Sequence, residues 1–173
     1  MPDDKPQILV VDDDRLLVTM LSDMLAADFH VLTAHDGDEA LAILAKEAVA
    51  AVLSDQNMPK VSGVAVLQNC LDLQPKAVRI LVTATDSVRD IADATNVARV
   101  HRVVVKPVRE LEIPGIVKGA IREAQLEEEN ARLVSELQDA VAELQDRERE
   151  LEHELQLRNE ELRMVMSRIK RDE

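Results

Sequence analysis

Aromatic residues and cysteine are almost absent from this chain of 173 residues. It has no Trp, no Tyr and a single aromatic residue, Phe29, so any core must be built from Val, Leu, Ile, Ala and Met. Recognition of nucleic acid by stacking bases on aromatic side chains is therefore excluded. Cys70 is the single cysteine, and neither it nor the four His residues show metal-ligand spacing, which excludes an internal disulfide and a Cys/His metal site.

Positive charge and long apolar runs are also scarce. The chain has 21 Lys and Arg residues and 34 Asp and Glu residues, which gives a net charge of −13. This charge argues against binding of nucleic acid or of an anionic membrane. Cations and proteins are the expected ligands. The apolar runs span only a few residues and no basic segment leads into one, so we predict neither a membrane span nor a signal peptide. We expect a cytoplasmic protein.

Pro and Gly, the residues that break helices, do not occur after Gly119, and in the part of the chain before the last of them short apolar runs alternate with stretches of helical period. This alternation is typical of β-α-β units and a parallel sheet. The predicted strands are residues 7–11, 30–33, 50–53, 78–82 and 102–105, and the predicted helices lie near residues 14–27, 37–48, 62–73 and 86–98. Because parallel strands need crossover helices on both faces, the prediction is a three-layer, doubly wound α/β fold.

A different pattern begins near Glu112 and predicts one helix to the end of the chain. From Leu126 onward a seam of mostly apolar residues follows coiled-coil spacing: Leu126, Asn130, Leu133, Leu137, Val141, Leu144, Glu148, Leu151, Leu155, Arg158, Leu162, Val165 and Ile169. Two consecutive four-residue steps near Leu137 form a stutter. A charged helix of about 50 residues has no core of its own for this stripe, so we predict a homodimer through a coiled coil over residues 125–171.

The seam residues also limit this prediction. Asn130 on the seam favours one register and two strands, whereas Glu148 and Arg158 weaken the pairing. The alternative is a helix that folds back on its own domain.

Polar side chains follow four of the predicted strands, at the edge where open α/β sheets bind ligands. The first strand leads into Asp12, Asp13 and Asp14, and the third leads into the segment 54–59, Ser-Asp-Gln-Asn-Met-Pro. Thr83 follows the fourth strand and Lys106 the fifth. Crowded carboxylates repel one another unless a cation is present, and Mg²⁺ prefers oxygen ligands. These residues predict a metal-assisted attack of a carboxylate on phosphorus, which would form an aspartyl phosphate.

In this order, the motifs resemble the receiver domain of bacterial two-component response regulators. The resemblance covers roughly residues 6–124 and rests on Asp12-Asp13, on Asp55 in its segment with Gly63 after it, on Thr83-Ala84 and on Lys106-Pro107. It implies a (βα)5 fold with strand order 2-1-3-4-5. The predicted domains are a receiver over residues 1–124, and a last receiver helix that continues into the coiled coil over residues 112–173.

The resemblance also implies a role for each motif residue. Asp55 would accept a phosphoryl group from a sensor histidine kinase, a phosphotransfer protein or a small phosphodonor. Asp13, Asp55 and the carbonyl of Asn57 would hold Mg²⁺, with Asp12 contributing through water. Thr83 would move towards the phosphoryl oxygens and bond them, Lys106 would pair with the same group, and the Lys106–Pro107 bond would be cis.

One position departs from the family pattern. Three residues before Lys106 the family commonly has an aromatic side chain that turns inward, but this chain has Val103. We therefore expect switching by aliphatic repacking, with the signal passing through the coiled coil to an output module or partner.

Two other functions stay open at this point. The chain could be a dimeric scaffold whose phosphorylation is incidental. The acidic triplet, Thr83 and Lys106 also look like motifs of haloacid-dehalogenase-type phosphohydrolases, although Arg15 stands where that family has a small residue. Apart from its own phosphorylation and dephosphorylation, we expect no enzymatic activity from residues 1–173.

Overall fold

The computed structural model describes residues 5–84, 92, 96–108 and 112–169. The chain divides into two compact units, Met1–Gln125 and Leu126–Glu173. The strands are β1 (Gln7–Val11), β2 (His30–Ala34), β3 (Ala51–Asp55), β4 (Val78–Thr83) and β5 (Arg102–Val105). The described helices include α1 (Arg15–Leu25), α2 (Gly37–Leu44), α3 (Gly63–Leu73) and the C-terminal helix (Ile113–Ile169).

The described strands form one parallel sheet in the order β2-β1-β3-β4-β5. This confirms the predicted fold class and strand order. Strand β3 extends further than predicted and includes Ser54 and Asp55. The helix predicted over residues 86–98 lies largely outside the described residues, where residues 96–98 are helical.

Two apolar cores lie on opposite faces of the sheet. Alternate residues of β1 divide between them: Leu9 and Val11 join a cluster with α2 and α3, whereas Ile8 and Val10 join a cluster with α1 and the start of the C-terminal helix. Strands β3 and β4 are buried along their whole length, whereas the edge strands β2 and β5 are partly exposed. Burial on both faces explains why the central strands read as continuous apolar runs.

Side chains at the helix starts fix where the chain leaves the sheet. Asp14 accepts hydrogen bonds from the backbone N–H groups of Leu16 and Leu17, and Ser62 caps α3 by accepting from the N–H of Ala65. These caps satisfy N–H groups that have no partner within the helix. Helix α1 therefore begins directly after Asp14, and α3 begins at Gly63, directly after Ser62.

The C-terminal helix has 57 residues and follows the predicted start to within one residue. In the second unit the apolar seam side chains from Leu126 to Leu162 are exposed, as Leu137, Leu144 and Leu155 show with 66%, 70% and 62% of their surface accessible. In the described part of the chain, no helix combines the length and apolar composition of a membrane span.

Candidate functional site

Three carboxylates meet at the ends of β1 and β3. Asp55 is the last residue of β3, Asp12 follows β1, and the pairing of Val11 with Ser54 brings these two strand ends side by side. One carboxylate oxygen from each of Asp12, Asp13 and Asp55 lies within 4.8 Å of the other two. Asp12 and Asp55 are buried, whereas Asp13 is exposed to solvent.

Lys106 supplies positive charge to the two buried carboxylates. It follows β5, and its backbone N–H donates to the carbonyl of Thr83 at 2.7 Å, which fixes it beside the end of β4. Its Nζ lies 2.7 Å from Asp55 Oδ1 and 2.9 Å from Asp12 Oδ2. The Lys106–Pro107 peptide bond is cis, as the resemblance implies.

The pKa of Lys106 reflects these contacts. Burial by itself lowers it, but the hydrogen bonds to Asp55 and Asp12 and the charges of both carboxylates outweigh that effect, so the pKa is raised above its ordinary value of 10.5. Lys106 is therefore an ammonium group at neutral pH.

Backbone N–H groups complete the surroundings of the buried carboxylates. The N–H of Asn57 donates to Asp55 Oδ2 at 2.8 Å, and the N–H of Asp14 donates to Asp12 Oδ1 at 2.9 Å. Asn57 thus lies two residues beyond Asp55 in a turn that folds back over its carboxylate. This turn holds the Asp55 carboxylate in one orientation.

Thr83 is buried at the end of β4, and its described side-chain bond does not go to Asp55. Its hydroxyl donates to the side-chain carbonyl of Gln56, with 2.6 Å between Oγ1 and Oε1. The structure therefore brings Asp12, Asp13, Asp55 and Lys106 together, with the N–H of Asn57 bound to Asp55. It places Thr83 next to the group with its hydroxyl bound to Gln56.

Sequence reasoning missed Gln56 and the steric reason for Gly63. A Cβ atom on Gly63 would lie 1.8 Å from the carbonyl oxygen of Asp55 and 2.9 Å from the hydroxyl oxygen of Ser54. The contact between Gln56 and Thr83 depends on the register in which Asp55 pairs with Val82, and the sequence carries no direct sign of that register. The close approach of α3 to β3 had no sequence signal beyond the glycine itself.

The donor set fits a hard divalent cation. The clustered groups are three carboxylates, and oxygen ligands of this kind suit Mg²⁺. Two of them are buried and share one ammonium group, so a further positive charge would be stabilised there.

Comparison with known proteins identifies the family. The model of the response regulator receiver domain matches residues 8–118. The chain belongs to the response regulator receiver family. The match favours the receiver over the haloacid-dehalogenase resemblance, which shares only part of the motif order.

Individual relatives agree with this assignment. The hydrogenase transcriptional regulatory protein HoxA of Cupriavidus necator is 32% identical over 137 residues, which cover 79% of this chain and 28% of HoxA. The chain therefore spans little more than a quarter of that relative's length.

Two solved structures show the same fold. A CheY-like receiver domain from Methanospirillum hungatei superposes with a TM-score of 0.67 at 25% identity, covering 71% of this chain and 98% of that chain. The adenylate cyclase crystal structure from Rhodopirellula baltica gives 0.68 at 29% identity, covering 76% and 98%. The fold of the first unit is therefore a receiver fold.

Proposed function

We propose that this receiver domain accepts a phosphoryl group on Asp55 in a Mg²⁺-dependent reaction. The observation that carries the proposal is the buried Asp55 carboxylate, with Lys106 Nζ at 2.7 Å and two further carboxylates within 4.8 Å. The donor would be the phosphohistidine of a sensor histidine kinase or of a phosphotransfer protein. A cytoplasmic location follows from such a partner.

Asp55, Lys106 and Asn57 have different roles in the proposed phosphoryl transfer. A carboxylate oxygen of Asp55 forms the new bond to phosphorus while the bond from phosphorus to the donor's nitrogen breaks and its electron pair leaves with the nitrogen. Lys106, already an ammonium group beside Asp55, balances the charge of the incoming phosphoryl oxygens. The N–H of Asn57 orients the carboxylate for this attack.

The acidic residues would hold the metal. Asp13, Asp55 and the backbone carbonyl of Asn57 would be its protein ligands, with Asp12 acting through water. When bound, Mg²⁺ supplies positive charge to the phosphoryl oxygens. Asp12 also binds the Lys106 ammonium, so it connects the metal ligands to the second cation of the site.

Phosphate incorporation from a small phosphodonor tests this proposal. With acetyl phosphate and Mg²⁺, we expect the wild type to take up phosphate, Asp55→Asn to take up none, and chelation of Mg²⁺ by EDTA to abolish uptake by the wild type. Asp14→Asn is the matched control, because the Asp14 side chain caps α1 and has no proposed part in metal binding or phosphoryl transfer. Equal uptake by Asp55→Asn and the wild type would contradict the proposal.

We further propose that the domain acts as a homodimer through the seam of the second unit. The apolar seam residues from Leu126 to Leu162 are exposed, and the heptad spacing of the seam matches a second copy of the same helix. A phosphoryl group adds roughly 1.5 to 2 negative charges at pH 7. Lys106 must respond to them. Strand β5 carries that response through Val104, which shares a core cluster with Ile113 and Val117 at the start of the C-terminal helix, and the helix passes it to an output module or partner.

A pair of neighbouring leucines tests the dimer. Leu155 lies on the seam and Leu157 does not, although both are exposed in the single chain, at 62% and 50%. Leu155→Asn removes an apolar contact from each copy, about 1.5 to 3 kcal/mol per side chain, so the dimer should weaken roughly 100-fold or more. Leu157→Asn should leave the affinity within a few-fold. Sedimentation equilibrium measures both, and equal effects would contradict the seam.

The same measurement separates signalling from a passive scaffold. If phosphorylation is coupled to the coiled coil, acetyl phosphate changes the dimer affinity of the wild type and leaves that of Asp55→Ala unchanged. If dimer affinity and partner binding are the same for both proteins, the scaffold alternative is favoured.

A further inference from the structure

The side chain of Gln56 makes a contact that no part of the proposed phosphoryl transfer requires. It accepts a hydrogen bond from the Thr83 hydroxyl at 2.6 Å, a short distance for a bond between oxygen atoms. Thr83 is fully buried and Gln56 partly buried, so water competes little for this bond.

The backbone holds Gln56 in the place from which it reaches Thr83. Its N–H donates to the carbonyl of Val82 at 2.9 Å, and its carbonyl accepts from the N–H of Gly63 at 3.1 Å. Gln56 is thus bound to β4 on one side and to the start of α3 on the other. The contact with Thr83 therefore follows from the register of β3 and β4 and is not an accident of a surface side chain.

A threonine hydroxyl has one proton to donate. While that proton is directed to Gln56, Thr83 cannot donate it to a phosphoryl oxygen on Asp55. The Gln56 carbonyl and the phosphoryl group are therefore competing acceptors for the same proton. A charged acceptor forms the stronger hydrogen bond, so Thr83 bonds the phosphoryl group when it is present. The net free energy gained is smaller than it would be without Gln56, because the bond to Gln56 must first be broken.

We propose that Gln56 is a positioning residue that holds the Thr83 hydroxyl in the unphosphorylated arrangement and thereby opposes activation. The inference rests on the proposed function, because it assumes that Thr83 serves the phosphoryl group on Asp55. On this proposal, Gln56, the residue after Asp55, lowers the stability of the phosphorylated arrangement relative to the unphosphorylated one.

Gln56→Met tests the proposal because methionine keeps the length of the side chain and removes the carbonyl acceptor. The probe is beryllofluoride with Mg²⁺, a mimic of the phosphoryl group, and its dissociation constant is measured by ¹⁹F NMR. Without the competing acceptor, we expect Gln56→Met to bind the probe about 3- to 10-fold more tightly than the wild type. Gln68→Met, an exposed glutamine on α3, is the matched control and should bind as the wild type does.

A second pair of variants separates this effect from a structural one. In a Thr83→Ala background there is no proton to compete for, so adding Gln56→Met should leave the dissociation constant unchanged. Unchanged or weaker binding by Gln56→Met alone overturns the proposal, and so does the same tightening in both backgrounds. If the wild type binds no beryllofluoride, the proposed function fails and this inference fails with it, whereas wild-type binding without a Gln56 effect overturns the inference alone.

Discussion

Lys106→Met is expected to lower the free energy of unfolding by about 3 kcal/mol at pH 7 in a buffer without divalent cations. The variant leaves Asp12 and Asp55 buried, with 3% and 6% of their side chains exposed, and removes the ammonium group that both contact. Removing one partner of a buried ion pair leaves an uncompensated charge, which costs more than the pair itself contributes. Lys106 is one-quarter exposed, so the low end of that range applies. Urea denaturation followed by circular dichroism measures the difference.

Lys118→Met is the matched control for this prediction. Lys118 pairs with Asp28 at 2.7 Å, but 54% of the Lys118 side chain and 33% of the Asp28 side chain are exposed, so the loss of this pair should cost less than about 1 kcal/mol. Added Mg²⁺ should restore more stability to Lys106→Met than to Lys118→Met, because a bound cation replaces the lost charge. Equal, small losses in the two variants would show that Lys106 does not stabilise the carboxylates.

The raised pKa of Lys106 gives the effect a defined pH dependence. A protonated group that is bound more tightly in the native state stabilises the fold fully below its unfolded-state pKa, and this contribution is lost as the pH rises through its folded-state pKa. The stability difference between wild type and Lys106→Met should therefore be constant near neutral pH and shrink above about 10.5. Burial also raises the pKa of Cys70 to about 11, but that contribution cancels in the difference.

Gly63→Ala is expected to destabilise the domain by about 3 kcal/mol or more, because its methyl group has no room. The new carbon would lie 1.8 Å from the Asp55 carbonyl oxygen, which belongs to the backbone of β3 and cannot rotate away. Either α3 moves away from β3 or the end of β3 shifts, and both changes disturb the residue proposed to accept phosphate. Denaturant unfolding should show the lower stability, and phosphate uptake from acetyl phosphate should be reduced.

Gly115→Ala is the matched control for this prediction. Gly115 lies in the first turn of the C-terminal helix, and a Cβ atom there would meet nothing within 4 Å. Alanine favours a helix over glycine by about 0.5 to 1 kcal/mol, so this variant should be as stable as the wild type or slightly more stable. If Gly63→Ala behaves like Gly115→Ala, α3 does not approach β3 as closely as described.

The fold was predictable because its signals are local and repeated. Strands β1, β3 and β4 are buried on both faces and read as continuous apolar runs, and the stretches between them follow the helical period. Boundaries were less accurate, as β3 runs on to Asp55. The prediction ended the strand where the apolar run ends. The backbone pairing with β4 continues through Ser54 and Asp55, because it does not depend on whether their side chains are polar.

The candidate site was predictable in its members and less so in its contacts. A parallel sheet collects its strand ends at one edge, which places Asp12, Asp55 and Lys106 together from sequence order alone. The partner of Thr83 depended on the register between β3 and β4, because a shift of one residue would place a different side chain opposite Thr83. The steric need for glycine at Gly63 depended on how closely α3 packs against β3, and that distance has no counterpart in the sequence pattern.

The position of the phosphate tests the central claim most directly. After incubation with acetyl phosphate and Mg²⁺, the protein is treated with borohydride, which converts an aspartyl phosphate into a stable reduced residue, and is then mapped by peptide mass spectrometry. The account predicts modification at Asp55 and none at Asp12 or Asp13, which share the site and are proposed to hold the metal. Modification at Asp12 with Asp55 unchanged would contradict it.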